Sequence, residues 1–412
     1  MNYKKYHLLP LLLLLFTASS QLIAGNPDKE IPAYDEEEIM ARIESMDQTF
    51  IKTKYESVVE GYIKGYVVRH RRNAEIILGR SAMYFPIFEK YLKENNLPDV
   101  LKYLAVVESA LNPRAVSVVG AGGLWQFMPE TGKSYGLVIN DQIDERTDII
   151  KSTMAAMQHL ASLYERYEDW ALALAAYNSG AGRVNSAIRR SGTTDFWALR
   201  QYLPRETRNY VPAFIAAVYL AQYYDQHNLE PEFPSLDFQL TETVELNDFV
   251  SFFRIAQVTG VSMEVIRTLN PLYTKDFIPA NEKGNYLILP RRVMPAFEAY
   301  LLAQKDGDAL PMALTTPVHM KGQDDSEKPY AYSYYHLGED EAPEQLATLL
   351  NCSVTNLSVW NEMGFNELAN QKQLKVYESF QVNNVERTAE LIEPLPTLGL
   401  SEVFSLGAEE GK

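Results

Sequence analysis

The sequence predicts a mainly α-helical protein whose last third consists of two small βααβ modules. Two observations lead to this prediction. Up to about residue 224, apolar side chains recur every three or four positions, which is the period of helices that bury one face. The composition changes at Pro231 and Pro234, and two segments 91 positions apart then repeat the order strand, helix, helix, strand. A chain of 412 residues is also long enough for two or three domains.

The composition excludes several classes of protein. A hydrophobic share of 46% is enough for real cores, and the net charge of −16 argues against a nucleic-acid binder, whose footprint is basic. The charge also argues against attraction to an anionic lipid surface. The single cysteine, Cys352, excludes an intramolecular disulfide and is expected to be a core residue. No His, Cys or Asp spacing indicates a metal site, and no cofactor is expected.

Residues 1–24 have the pattern of a secretory signal peptide. Lys4 and Lys5 precede the apolar run Leu8–Phe16, and small residues follow that run. The run is too short to remain as a membrane-spanning helix. We therefore expect export to the periplasm after cleavage behind Ser20 or Ala24. No cysteine stands just after the signal, so the sequence does not support membrane anchoring, and it says nothing about oligomeric state.

Residues 25–83 are expected to form an N-terminal helical region that packs beside the next domain. The pattern predicts a short helix at Glu36–Met46, a second helix through Val58–Val67 and a third around Ala74–Leu92.

The domain expected at residues 84–228 is organised around one acidic residue, Glu108. Five residues fall at helical spacing: Leu101, Leu104, Ala105, Glu108 and Leu111. Glu108 therefore lies on an apolar stripe, and Asn112-Pro113 ends the helix one turn later. Burial there would raise the carboxyl pKa and leave a proton donor near neutral pH, which the cleavage of a glycosidic bond requires. The alternative is a helix-end acid satisfied by a salt bridge or by backbone amides.

Two further helices are predicted in this domain. Asp144–Tyr167 has the pattern of a long amphipathic helix, on which His159 is expected to be structural. Trp170–Tyr177 is rich in small residues and allows close helix packing. Between these and Glu108, the glycines of Gly120–Gly123 let the backbone approach a ligand or another segment, and Leu124–Met128 predicts a new regular segment.

Four short motifs occur in a fixed order from Glu108 to Pro212. The motifs are Glu108-Ser109, Gly123-Leu124-Trp125-Gln126, Ala176-Tyr177-Asn178 and Glu206-Thr207-Arg208-Asn209-Tyr210-Val211-Pro212. Together they resemble the lytic transglycosylase branch of the goose-lysozyme-like (SLT) glycosidases, over about residues 84–220. The resemblance implies a lysozyme-like helical catalytic domain. It also implies a lyase that cleaves the β-1,4 bond between N-acetylmuramic acid and N-acetylglucosamine in peptidoglycan without water, and leaves 1,6-anhydro ends.

The resemblance also implies the roles of five residues. Glu108 is expected to act first as acid and then as base, and Ser117, nine positions later, to orient the sugar at the cleavage point. Gln126 and Asn178 are expected to hydrogen-bond substrate, and Tyr210 to hydrogen-bond Glu108. Each of the last four has a structural alternative, respectively as a turn residue, a member of a buried network, a helix C-terminal residue and a core residue.

The two repeated segments predict modules at residues 238–304 and 331–383. Ile255–Asn270 aligns without a gap with Leu346–Asn361, and strand-like runs flank both. Residues 305–330 are expected to be a linker, and residues 384–412 a loosely packed tail.

The order β-α-α-β resembles a LysM module, which binds glycans that contain N-acetylglucosamine. The first copy departs from that pattern, because it has Asn247-Asp248 before its first helix and carries a long insertion, Pro271–Lys283. The second copy lacks the closing proline. Small structural modules remain the alternative to glycan binding.

Two alternatives to a lytic transglycosylase remain at this point. One is a lysozyme-like hydrolase in which Asp141 or Asp144 activates a water. The other is an inactive scaffold that binds cell walls. The sequence also leaves open whether cleavage occurs at chain ends or internally, and on which glycan lengths.

Overall fold

The computed structural model describes residues 31–46, 50–306, 332–337, 342–349, 354–361, 363, 368 and 370–377. The expected signal peptide, nearly all of the expected linker, the expected tail and Cys352 lie outside these ranges. Within them, none of the helices combines the length and the apolar character needed to cross a bilayer.

Three N-terminal helices are present as the sequence predicts. Their bounds are α1 Glu36–Ser45, α2 Ser57–Lys64 with a π-helical turn at Gly65–Arg69, and α3 Arg71–Glu94. The Asp35 carboxylate caps α1 by accepting from the Glu38 amide at 3.1 Å. Helix α3 runs without a break through residue 84, where the next domain was expected to begin. Ile39, Ile63 and Phe88 are fully buried in one core shared by both regions.

The helical domain continues with short and long helices around α10. The bounds are a 3₁₀ turn at Asp99–Tyr103, α4 Leu104–Ser109, α5 Pro129–Ser134, α6 Ile149–Tyr167, α7 Trp170–Ser179, α8 Ala181–Ser191, α9 Phe196–Leu199 with a 3₁₀ turn at Arg200–Tyr202, and α10 Arg205–Tyr223 with a 3₁₀ turn at Asp225–His227. Helix α10 packs against α2, α4 and α7. Every residue from Tyr210 to Leu220 is buried, so α10 is the central element of the fold.

Two expected elements differ from the structure. Helix α6 begins at Ile149 and not at Asp144, because the Asp148 carboxylate caps it by accepting from the amides of Ile150 and Lys151. The expected regular segment at Leu124–Met128 is wrong, since residues 123–126 form a turn between two paired residues, Gly122 and Phe127.

The two βααβ modules are confirmed. In module 1, α11 Leu236–Gln239 precedes β1 Thr241–Leu246, β2 Val250–Ser251, α12 Phe252–Thr259, α13 Met263–Leu269, β3 Phe277–Ile278, β4 Asn285–Pro290, a 3₁₀ turn at Arg291–Val293 and α14 Met294–Asp306. Module 2 has β5 Tyr332–His336, helices Pro343–Leu349 and Val354–Asn361, and β6 Gln373–Tyr377. Strand β1 pairs antiparallel with β4, and β5 with β6. The second helix of module 2 packs on α3.

The repeated asparagine has the same task in both modules. Asn270 accepts from the amide of Ile288 at 2.7 Å and donates to the carbonyl of the same residue at 2.7 Å. Asn361 makes the same pair of bonds with Lys375, at 2.6 and 3.0 Å. A side-chain amide thus pairs with the last strand of each module, which explains why the sequence repeat ends on this residue type.

Candidate active site

The position of Glu108 follows from an abrupt helix end. Helix α4 stops at Ser109 because Ala110 and Leu111 both adopt the left-handed conformation, with φ of 52° and 56°. The expected stop at Asn112-Pro113 therefore comes three residues too late. Two consecutive non-glycine residues in this region are costly and persist only where tertiary packing holds them. Leu111 is fully buried, and its packing is one such constraint.

Glu108 is half-buried and is contacted by a tyrosine from the central helix. The Tyr210 hydroxyl of α10 donates a hydrogen bond to Glu108 Oε1. Burial raises the pKa of Glu108 from an ordinary value near 4.5 to about 8. The hydrogen bond from Tyr210 lowers this pKa, and the negative charge of Glu206 raises it. Because burial dominates, Glu108 carries its proton at neutral pH, as the sequence pattern predicts.

A small network joins the ends of α7 and α10 beside this pair. The Thr207 hydroxyl donates to Asn178 Oδ1 at 2.8 Å, and Asn178 Nδ2 donates to Glu206 Oε1 at 3.3 Å. The Tyr177 hydroxyl donates to the Trp125 carbonyl at 2.8 Å. Asn178 is thus placed near Glu108 through Glu206, whose charge acts on Glu108.

The glycine loop, residues 116–127, is fastened to the helix that carries Glu108. The buried Ser109 hydroxyl lies 2.9 Å from the Leu124 carbonyl and so ties the two segments together. Ser117 Oγ accepts from the Ala121 amide at 2.9 Å, and the backbone of Ser117 also pairs with Ala121. The hydrogen bonds described for Ser117 therefore stay inside the loop and hold its tip.

Gln126 combines an unusual backbone with two inward bonds. Its φ is +49°, and its Nε2 donates to the carbonyls of Ala115 at 3.1 Å and Gly123 at 2.8 Å. Both amide hydrogens are therefore occupied, one by the loop and one by the residue that precedes it. This geometry favours the network role of Gln126 over a substrate contact made through those hydrogens.

Trp125 anchors the loop in the core. Its side chain is fully buried, its Nε1 donates to Thr153 Oγ1 at 2.9 Å, and its ring centroid lies 4.8 Å from that of Phe88. A large aromatic side chain with its one donor satisfied fixes the backbone on both sides of it.

Arg146 also holds the loop, and no sequence pattern pointed to it. Its Nη1 donates to the carbonyls of Gly120 at 2.5 Å and Phe127 at 3.1 Å. Its Nε and Nη2 form a bidentate pair with the Asp144 carboxylate at 2.9 and 2.6 Å. Asp144 is thus ion-paired, and the neighbouring Glu145 is buried and paired with Lys151.

His159 lies in an aromatic cluster beyond the loop. Its Nδ1 is 2.8 Å from the Tyr135 hydroxyl, and burial lowers its pKa to about 4, so the ring is neutral. In the part of the chain that the structure describes, no three His, Cys, Asp or Glu side chains come together to hold a metal ion.

Of the five predicted site residues, Glu108 and Tyr210 are in direct contact. Ser117 and Gln126 lie in the loop that Ser109 ties to the helix of Glu108, and Asn178 bonds Glu206, whose charge acts on Glu108. Sequence reasoning assigned no role to Glu206. The sequence signal for a role of Glu206 was its position four residues before Tyr210, because residues at this spacing lie on the same helix face, one turn apart.

Comparisons with known proteins find similarity in both the helical domain and module 1. Residues 85–200 match the family described as "Transglycosylase SLT domain", and residues 240–306 match "Lytic transglycosylase MltD, LysM-like domain". Membrane-bound lytic murein transglycosylase D of Escherichia coli (strain K12) is 30% identical over 293 residues, which cover 69% of this chain and 61% of that protein. The chain thus spans about three fifths of the length of this curated relative.

Two further similarities each cover about a third of the chain. Soluble lytic murein transglycosylase of Escherichia coli (strain K12) is 30% identical over 141 residues, covering 32% of this chain and 22% of that protein. The crystal structure of the 70 kDa soluble lytic transglycosylase from Escherichia coli is 28% identical and covers 34% of this chain and 24% of that chain, with a TM-score of 0.30.

Proposed function

We propose that this protein is a peptidoglycan lytic transglycosylase, because the chain resembles that family in both its helical domain and its first βααβ module. It cleaves the bond between N-acetylmuramic acid and N-acetylglucosamine without water and works in the cell envelope after export. The observation that carries this proposal is a half-buried Glu108 with a pKa of about 8 and Tyr210 bonded to one of its oxygens.

The first step is the transfer of a proton from Glu108. Tyr210 bonds Oε1 of Glu108, so we assign the acidic proton to Oε2. Oε2 transfers this proton to the bridging oxygen as the bond between that oxygen and C1 of the muramic acid breaks. The pKa lies close to neutral pH, which suits a general acid there. The carboxylate that forms keeps the charge-assisted hydrogen bond from Tyr210, which limits the cost of creating a buried charge.

The second step returns a proton to Glu108. The carboxylate takes the proton of the muramic acid 6-hydroxyl, whose oxygen forms a bond to C1 and closes a 1,6-anhydro ring. Glu108 is then protonated again, and no water is consumed. The nucleophile belongs to the same sugar, so the attack has the high effective molarity of an intramolecular reaction and requires no positioned water.

The surrounding residues orient the sugar. We assign this role to Ser117 at the tip of the loop and to Asn178 at the end of α7, which Thr207 and Glu206 hold in place. Gln126 acts by fixing the loop backbone, because its amide hydrogens already bond the carbonyls of Gly123 in the loop and of Ala115 just before it.

A lysozyme-like hydrolase has less support. Asp144, one of the two acids considered for activating a water, is held in a bidentate pair with Arg146. The second, Asp141, is exposed, and its carbonyl accepts from the Thr274 hydroxyl. An inactive scaffold would not require Glu108 to be buried and protonated in contact with Tyr210.

Product mass tests the proposal directly. Digestion of purified sacculi should release muropeptides that are lighter by one water than those from a hydrolase, since the 1,6-anhydro ring forms in place of water addition. Mass spectrometry of the digest, with a hydrolytic lysozyme as reference, makes the measurement. Products with reducing ends only would establish hydrolysis instead.

The pH dependence of cleavage should follow the proton on Glu108. The rate should be constant below about pH 8 and fall as the pH rises through that value, because Glu108 then enters the reaction ionised. Glu206→Gln removes a charge that raises the Glu108 pKa, so the alkaline limb of the pH–rate profile, where the rate falls, should move to lower pH. Tyr210→Phe removes a bond that lowers this pKa, so the limb should move to higher pH.

The control for these shifts is Glu130→Gln, which changes an exposed glutamate paired with Lys133 and should leave the profile unchanged. A limb that stays in place in both site variants would show that another group controls it. A loss of rate at acidic pH would point to a second, ionised carboxylate, as a hydrolase needs.

A further inference from the structure

The first residues of the insertion in module 1 lie against the helical domain. Residues Pro271–Thr274 run antiparallel to Gln142–Asp144, with Tyr273 paired opposite Ile143. The Asp144 amide donates to the Leu272 carbonyl at 2.8 Å, and the Thr274 amide donates to the Gln142 carbonyl at 3.0 Å. Leu272 and Tyr273 are both buried. The insertion thus adds a short strand to a hairpin of the helical domain.

Two threonine hydroxyls add hydrogen bonds to this contact between residues 271–274 and 142–144, which we call the seam. The Thr147 hydroxyl lies 2.8 Å from the carbonyl oxygens of both Asp144 and Pro271. The Thr274 hydroxyl donates to the Asp141 carbonyl at 2.6 Å. On the module side, the Tyr273 hydroxyl donates to the Tyr286 carbonyl in β4 at 2.6 Å, so the inserted segment is also fixed to its own module.

The hairpin beneath the seam carries the arginine that holds the active-site loop. It spans residues 138–145 and is closed by bonds between Asn140 and Ile143 and between Glu145 and Val138. The Asp144 carboxylate orients the Arg146 guanidinium, which lies at the end of this hairpin. Both side chains are largely shielded from water, and a charge pair of this kind tolerates little displacement.

The guanidinium in turn fixes both sides of the turn that carries Gln126, and the Gly120 amide donates to the Ser117 carbonyl at 2.9 Å, which links Ser117 to the same anchor. The guanidinium bonds the carbonyls of Gly120 and Phe127, which stand on opposite sides of the turn at residues 123–126. The loop packs so closely that a Cβ at Gly122 would lie 3.1 Å from the Arg146 guanidinium carbon. A shift of Arg146 would therefore move the loop with it.

We propose that the module 1 insertion is a brace for the active site, and that Arg146 is the positioning residue through which it acts. Displacing the insertion loosens Asp144 and Arg146, and thereby the loop that orients substrate. The assignment of the loop to substrate rests on the proposed function, whereas the mechanical coupling does not. Module 1 is then part of the catalytic unit, whether or not it also binds glycan.

The coupling is tested first without any substrate. In the full chain, the double variant Thr147→Val, Thr274→Val removes both seam hydroxyls and keeps the side-chain shapes. Hydrogen exchange of the Gly122 and Gly123 amides, which donate to the carbonyls of Phe127 and Ala115, should accelerate up to about thirtyfold, since two hydrogen bonds of about 1 kcal/mol each are lost. Thr259→Val is the matched control, because its hydroxyl bonds the Ile255 carbonyl within module 1. Unchanged exchange in the double variant would overturn the brace.

The catalytic consequence is measured on a peptide-free glycan tetrasaccharide. The double variant should raise KM about tenfold, leave kcat within about twofold and leave the alkaline limb in place, because Glu108 is not touched. Arg146→Met should raise KM further, and Arg146→Lys should recover part of the loss. A fall in kcat with unchanged KM would contradict the positioning role. If the wild type cleaves no glycan, the proposed function fails, and hydrogen exchange still decides the brace.

Discussion

Replacing Glu108 with glutamine should lower peptidoglycan cleavage about a thousandfold or more, since a general acid of this kind contributes about 10² to 10⁴ and here also serves as the base. Glutamine has nearly the same shape and can still accept from Tyr210, so the fold should be preserved. The release of muropeptides from sacculi gives the rate, and sedimentation with sacculi shows whether binding persists. Retained binding would separate the enzyme from its modules.

The same substitution should stabilise the protein, with a defined pH dependence. Burial raises the pKa of Glu108 in the folded protein to about 8, against a value near 4.5 in the unfolded chain. The native state therefore holds the proton more tightly, and its stability falls as the pH rises from about 4.5 through 8. Glu108→Gln removes this penalty, so its advantage in Tm over wild type should grow across the same range.

Thermal unfolding at pH 5 and pH 8 measures this difference. Glu130→Gln, at an exposed position, should show no such trend. Cleavage by Glu108→Gln at the wild-type rate would remove Glu108 from the mechanism, and a Tm advantage that stays constant with pH would show that the side chain is not kept protonated by burial.

Gly123→Ala should disrupt the active-site loop and lower cleavage about a hundredfold, the cost of misplacing reacting groups by about 1 Å. Gly123 has a φ of +82°, and a Cβ there would lie 1.7 Å from the Arg146 carbonyl oxygen. A backbone oxygen cannot move aside as a flexible side chain would. The left-handed conformation adds about 1–2 kcal/mol, so the Tm should also fall by several degrees.

Gly120→Ala provides the matched control within the same loop. Gly120 has a φ of +89°, but a Cβ there would meet no atom within 4 Å. This variant carries the same kind of backbone cost without the clash. We therefore expect it to retain most of the activity. Equal losses in the two variants would show that backbone strain, and not the contact with Arg146, limits the loop.

The position of Glu108 could be predicted because its signal is periodic, whereas the contact with Tyr210 was expected from the resemblance to the lytic transglycosylases. Glu108 stands out as an acid on an apolar stripe, and the structure keeps it half-buried with a raised pKa. The two βααβ modules were predicted from a repeat without gaps, and Asn270 explains why that repeat ends on an asparagine. Cap residues were less evident, and for this reason α6 was predicted to begin before Asp148.

The contacts of the loop were not predictable, because they join residues far apart in the chain. Arg146 reaches Gly120, 26 residues earlier, and the insertion at Leu272 bonds Asp144. No periodicity marks such a pair, since each partner is an ordinary polar or turn residue in its own segment. The sequence therefore determined the chemistry, an acid held in apolar surroundings, and the order of the elements. Only the tertiary structure decided how the loop is fastened to Arg146 and to the helix of that acid, because long-range hydrogen bonds exist only after the chain has folded.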